Sequence, residues 1–127
     1  DEHENRHRMI LNFGHTFGHS IETLTNYTEY LHGEALSIGM VQAASLSVET
    51  GLCNKDVLIR ITNLLKKFGL PIHPPDLKTE DIIRSMYHDK KTTHNKLRLI
   101  LVKAIGSVEI VDNVSEIPIK AVLNKKQ

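Results

Sequence analysis

The sequence predicts a mainly α-helical domain with one small β-hairpin near its C-terminal end. Three observations predict it. Apolar residues recur at three- and four-residue steps through several separate stretches. The alternating runs are confined to two short segments on either side of a glycine. The chain has 127 residues, 40% of them hydrophobic, which is room for about one domain with a real core.

The elements follow in order. From Asn5 to Leu24 the residues Met9, Ile10, Phe13, Phe17, Ile21 and Leu24 mark an amphipathic first helix. TNYTEYLHGE reads as a loop. Ala35 to Glu49 carries small and apolar residues on more than one side, the pattern of a buried helix. Gly51 is placed to end it, and Asn54 to cap a third helix whose Val57, Leu58, Ile61, Leu64, Leu65 and Phe68 form a stripe before Gly69. LPIHPPDL holds three of the four prolines and reads as an extended connector. Thr79 is the expected cap of a short helix from Glu80 to His88 with Ile82, Ile83 and Met86 inward. After the polar loop HDKKTTHNK, the runs KLRLILV and SVEIV alternate on either side of Ala104 to Gly106 and predict the hairpin. A last helix runs from about Ser115 to Leu123, with Pro118 near its first turn where a missing N–H costs little.

Charge narrows the partners. Lys and Arg total 16 against 15 for Asp and Glu, a net charge of +1. That field is too weak to imply nucleic acid or a membrane surface. Cys53 is the only cysteine, so no internal disulfide can form, and a lone thiol fits a reducing, cytoplasmic setting. Its place in a short interhelical turn, with no base nearby in sequence, reads as structural. No apolar run approaches the ~20 residues that span a bilayer. The chain opens on DEHENRHR without a Met and runs straight into a helical pattern. We therefore expect it to be cut from a longer chain.

The eight histidines are the compositional excess. In NFGHTFGHSIE, His15 and His19 stand four apart, hence on one helix face, with Gly14 and Gly18 before them. Glycine inside a helix costs ~1 kcal/mol relative to Ala and tends to appear where something approaches the backbone closely. His32 opens HGEALSIGM at the entry to the buried helix, where the preceding turns can fold it back toward His15. Catalytic zinc takes three protein ligands from His, Cys and carboxylates and leaves one position open. Glu4, Glu22 and Glu34 are the candidate carboxylates, although Glu34 also suits the positive end of a helix dipole. Spacing alone leaves two readings open, a metal site or surface histidines on a helix with packing glycines. His3 and His7 read as solvated, His73 lies in the proline loop, and His88 and His94 flank a basic turn. Arg8, one turn before Asn12, and the Asp89-Lys90-Lys91 loop could hold a phosphate or carboxylate, or be solvated charge.

On RMILNFGHTFGHSIE (Arg8 to Glu22), HGEALSIGM (His32 to Met40), Asp89-Lys90-Lys91 and KLRLILVKAIG (Lys96 to Gly106), the chain resembles the dehydroquinate synthases, the shikimate-pathway branch of the sugar-phosphate cyclases. The likeness runs from end to end in the family's order. Ser20 stands where the family often has Ala, and Ala35-Leu36-Ser37-Ile38 where it often has Ala-Val-Ala-Ile; both changes conserve size.

The resemblance implies an enzyme of two domains, an N-terminal α/β domain that binds NAD and a mainly helical C-terminal domain that binds metal. Residues 1–127 would be the later part of the second, with the NAD-binding domain outside this chain. By that resemblance His15 and His32 match the two histidines that bind zinc, or cobalt in its place, and the third ligand is a glutamate upstream of Asp1. Asn12, His19 and Lys90 match contacts to the substrate phosphate, Arg8 a contact to the bound substrate, and Glu4 an acidic group beside the reacting ring. His19 and Glu4 are thus the candidate catalytic groups. The implied reaction converts 3-deoxy-D-arabino-heptulosonate 7-phosphate to 3-dehydroquinate and phosphate, with NAD regenerated each turn, in a homodimeric cytoplasmic enzyme. The chain by itself is expected to be inactive and to self-associate through uncovered apolar surface. Rival readings are a related cyclase, a metal-dependent polyol dehydrogenase, and a helical interaction module without catalysis.

Overall fold

A computed structural model of the chain describes residues 12–89 and 97–125. Glu4, Arg8 and Lys90 lie outside the described residues, as does the part of the expected first helix before Asn12. Among the described residues there are five helices and one two-stranded antiparallel sheet: α1 (His15–Leu24), α2 (His32–Glu49), α3 (Lys55–Lys67), α4 (Thr79–Asp89), β1 (Leu97–Ala104), β2 (Ser107–Val114) and α5 (Glu116–Leu123). The fold is mainly helical with a hairpin near its C-terminal end. None of these helices is long and apolar enough to cross a membrane.

Several helix ends follow local chemistry. Asn54 accepts the Asp56 N–H at 3.1 Å and caps α3. The C-terminus of α1 is closed by Asn26 in the left-handed region (φ 57), with its N–H on the Thr23 carbonyl and the Tyr27 N–H on the Glu22 carbonyl. The same pair of bonds closes α2 at Gly51 and α3 at Gly69.

Three boundaries depart from the sequence expectation. The first helix does not run unbroken from Asn5; Asn12–Gly14 form a turn, and Gly14 (φ 83) precedes the first helical residue, His15. Helix α2 begins at His32, not Ala35, because the Glu34 carboxylate reaches back to accept the Leu31 N–H at 2.9 Å. Thr79 is the first residue of α4 and does not cap it; its hydroxyl donates to the Asn124 side chain at 2.6 Å, tying α4 to the end of α5.

Helix α2 is the centre of the domain. Eleven of its residues are buried, and it packs against α1, α3, α5 and β1. The main core joins Phe13, Phe17, Ala43, Ala44 and Leu46 to Met86 of α4, the inward side chains Leu97, Leu99 and Leu101 of β1, and Ile119 of α5. The Ser47 hydroxyl, fully buried, donates to the Ala43 carbonyl and accepts the Val102 N–H at 3.0 Å, stitching α2 to β1. Strand β2 has only Val114 buried and is the more exposed strand of the hairpin. The stripe on α3 is partly covered: Leu65 is buried, while Leu64 and Phe68 are 55% and 70% exposed.

Helices α1 and α2 meet backbone to backbone at glycines. A methyl group on Gly39 would collide with the Gly14 carbonyl and lie 2.6 Å from the Gly18 nitrogen, and one on Gly14 would lie 2.7 Å from the Met40 nitrogen. The suspicion that Gly14 and Gly18 mark a close approach is thus correct, and the approaching element is α2.

Candidate metal and substrate site

His15 opens α1 and His32 opens α2, and their rings stand edge to face with centroids 5.9 Å apart. Loop 25–31 turns the chain back so that residues seventeen apart in sequence meet. Positions 15, 19 and 22 fall on one face of α1, and Glu22 completes the group. It is 6% exposed, and its Oε2 lies 2.9 Å from the Nδ1 of His32. Its Oε1 lies 3.7 Å from the Nδ1 of His19, an ion-pair distance beyond hydrogen-bonding reach. The His19 ring also sits edge-on to Tyr27 at 6.4 Å. Tyr27 is itself left-handed (φ 60).

The structure therefore brings His15, His19 and His32 together with Glu22. Asn12 is exposed and lies in the turn before α1, its carbonyl accepting the His15 N–H at 3.1 Å. Asn12 and His15 also line a cavity of about 230 Å³ shared with Arg98 and Leu99 of β1; neither His19 nor His32 lines it. Glu4, Arg8 and Lys90, the other residues expected at the site, fall outside the described residues.

The donor set fits a divalent cation in part. Two imidazoles sharing one tetrahedral zinc at about 2.0–2.1 Å hold their ring centres roughly 5 Å apart, so His15 and His32, at 5.9 Å, stand within a small adjustment of that separation. With His32 Nδ1 engaged by a carboxylate, Nε2 is the nitrogen left to coordinate. Among the described residues no group of three His, Cys, Asp or Glu side chains could hold a metal ion. Of the carboxylates weighed from sequence, Glu22 is bonded to His32 and Glu34 to the Leu31 N–H. A third protein ligand would have to come from elsewhere. Sequence reasoning named Glu22 only as a candidate ligand; its three-residue step from His19 was the signal that it belongs with the histidines. Arg98, which lines the same cavity as Asn12 and pairs with Asp112, was missed, since nothing in a strand pattern places it near the start of α1.

Cys53 is half-buried, and burial pushes its thiol above the ordinary range, in keeping with a structural role.

The fold is that of the sugar-phosphate cyclases. It matches 2-deoxy-scyllo-inosose synthase complexed with carbaglucose-6-phosphate, NAD+ and Co2+ with a TM-score of 0.80 at 28% identity, covering 95% of this chain and 34% of that one. It matches 2-epi-5-epi-valiolone synthase from Streptomyces hygroscopicus subsp. jinggangensis 5008, with NAD+ and Zn2+ bound, with a TM-score of 0.76 at 28% identity over 88% of this chain and 31% of that one. Within that class the chain belongs to the 3-dehydroquinate synthase family, whose profile, described as 3-dehydroquinate synthase C-terminal, matches residues 1–92. It is 49% identical over 123 residues to a 3-dehydroquinate synthase of Prochlorococcus marinus, covering 97% of this chain and 34% of the relative. It is 44% identical over 126 residues to that of Thermodesulfovibrio yellowstonii, covering 98% and 35%. The chain spans about a third of the length of the curated relatives it matches.

Proposed function

We propose that the protein containing this chain is a 3-dehydroquinate synthase, converting 3-deoxy-D-arabino-heptulosonate 7-phosphate to 3-dehydroquinate and phosphate in the cytoplasm. Residues 1–127 form part of its helical C-terminal domain, and NAD is bound mainly by an N-terminal domain outside this chain. The observation that carries the reading is the meeting of His15 and His32, edge to face at 5.9 Å, at the first residues of two helices that touch at glycines. The identity to 3-dehydroquinate synthases, 44 to 49% for the two relatives above, exceeds the 28% shared with the two cyclases of other substrates and favours this member of the class.

In this reading His15 and His32 hold the divalent metal, zinc or cobalt, together with an upstream glutamate. The metal, when bound, polarises a ring hydroxyl and the ketone made from it. Asn12, His19 and Lys90 hold the substrate phosphate where it can leave, and Arg8 contacts the bound substrate. In this reading Glu4 is the acidic group beside the reacting ring, and His19, at the phosphate, holds or takes a proton as phosphate leaves. Much of the acceleration then comes from positioning and preset electrostatics. The whole enzyme is a homodimer, and the chain alone is inactive.

The test is phosphate release from the seven-carbon substrate by the full-length protein, stripped of metal and then restored with zinc in the presence of NAD. Release that returns with metal and disappears in His15→Ala is the expected result. No release, with NAD reduced on simple polyols instead, would move the protein to the metal-dependent dehydrogenases.

A further inference from the structure

Glu22 is the one deeply buried carboxylate of the histidine group, and nothing in the proposed reaction uses it. Its two neighbours are the reverse: the side chains of His32 and His19 are 63% and 48% exposed. An exposed imidazole has few packing contacts to fix its ring angle. The 2.9 Å bond from His32 Nδ1 to Glu22 Oε2 supplies that restraint. A buried carboxylate, in turn, is tolerated only where hydrogen bonds satisfy it. The Glu22 backbone is also anchored, because its carbonyl accepts the Tyr27 N–H at 2.8 Å in the closure of α1. The carboxylate therefore starts from a fixed point.

We propose that Glu22 is a positioning residue for the metal-binding imidazole. By accepting the Nδ1 proton of His32 it selects the tautomer whose Nε2 carries the lone pair and holds that nitrogen toward the space shared with His15. This inference rests on the reading that His15 and His32 bind a divalent cation. Glu22 does not itself ligate the ion.

The experiment measures zinc affinity of the full-length protein by equilibrium competition with a chelator, alongside the visible spectrum of the Co2+ form and the thermal midpoint of the metal-free protein. Glu22→Ala should weaken zinc by about 10- to 100-fold, the usual cost of losing a carboxylate behind a metal-bound histidine. Glu22→Gln keeps the volume and one acceptor oxygen for the Nδ1 proton, so it should recover most of that affinity. The Co2+ spectrum of Glu22→Gln should keep the wild-type pattern, because the ligand set is unchanged. Zinc bound as tightly by Glu22→Ala as by wild type would overturn the inference and leave the metal site standing. So would a Glu22→Gln spectrum showing a changed coordination number, which would make Glu22 a ligand. An affinity loss matched by an equal fall of the metal-free midpoint in both variants would reduce Glu22 to a structural residue. A wild-type protein that holds no zinc would sink this inference and the proposed function together.

Discussion

Replacing Gly39 by Ala probes the contact on which the site stands. The new methyl would lie 2.6 Å from the Gly18 nitrogen and still closer to the Gly14 carbonyl, both main-chain atoms that cannot rotate away. A comfortable contact is about 3.5 Å, so α1 and α2 must part by roughly 1 Å. Overpacking of this kind costs about 1–3 kcal/mol. Without metal the helices can separate and relieve much of it. With metal they cannot, because bond lengths to the ion tolerate only about 0.2 Å and His15 rides on α1 between the two glycines it would displace. Strain of about 1–3 kcal/mol borne by the metal-bound state alone corresponds to roughly 5- to 150-fold weaker binding. Zinc affinity by chelator competition and the thermal midpoint of the zinc-loaded full-length protein should both fall. Gly33→Ala, on the same helix but with nothing within 4 Å of the added methyl, is the control. It should leave binding intact and stabilise by about 0.4–1 kcal/mol. Wild-type affinity and midpoint in Gly39→Ala, or equal damage from Gly33→Ala, would refute the argument.

Other outcomes follow from single contacts. Ser47→Ala strands the buried Val102 N–H and should cost about 1–3 kcal/mol, read as a lower urea midpoint; an unchanged midpoint would deny the stitch between α2 and β1. Leu65→Ala should cost about 2–5 kcal/mol, whereas Phe68→Ser, on the exposed edge of the same stripe, should stay within about 0.5 kcal/mol in the same urea assay. Asn26→Gly relieves a left-handed side chain at the end of α1 and should raise the thermal midpoint, a gain of at most about 1 kcal/mol. Burial raises the Cys53 thiol, so at pH 8 less of it is thiolate than in free cysteine. Its reaction with a disulfide reagent should be slow in the native protein and accelerate on unfolding.

The sequence made visible whatever depends on near neighbours. The four-residue step of His15 and His19, the Asn54 cap, the glycine stops at Gly51 and Gly69 and the all-round apolar character of α2 are local patterns, and the structure contains each. The fold back of His32 toward His15 was also anticipated, since the intervening loop is short and polar. What stayed hidden depends on distant partners. Thr79 reads as a cap until Asn124, 45 residues away, takes its hydroxyl. Glu22 reads as one carboxylate among several until α2 delivers His32 to it. Asn26 ends α1 without the glycine that marks the ends of α2 and α3, so no local signal announces the turn. The roles of Glu4, Arg8 and Lys90 came from family likeness, because lone charges in a sequence do not reveal what they face.

The central place of α2 has a consequence for how the domain breathes. With neighbours on nearly every side and the Ser47 stitch near its C-terminal end, its middle turns have no route to solvent short of the whole domain opening. Their amide protons should be the last to exchange with deuterium, and those of the more exposed strand β2 among the first. His32 sits at the frayable first turn of this same rod. In the proposed metal-bound state a cation drawing His32 toward His15 would clamp the rod's loose end, so loading the site would slow exchange along a helix that touches the ligand only at its tip.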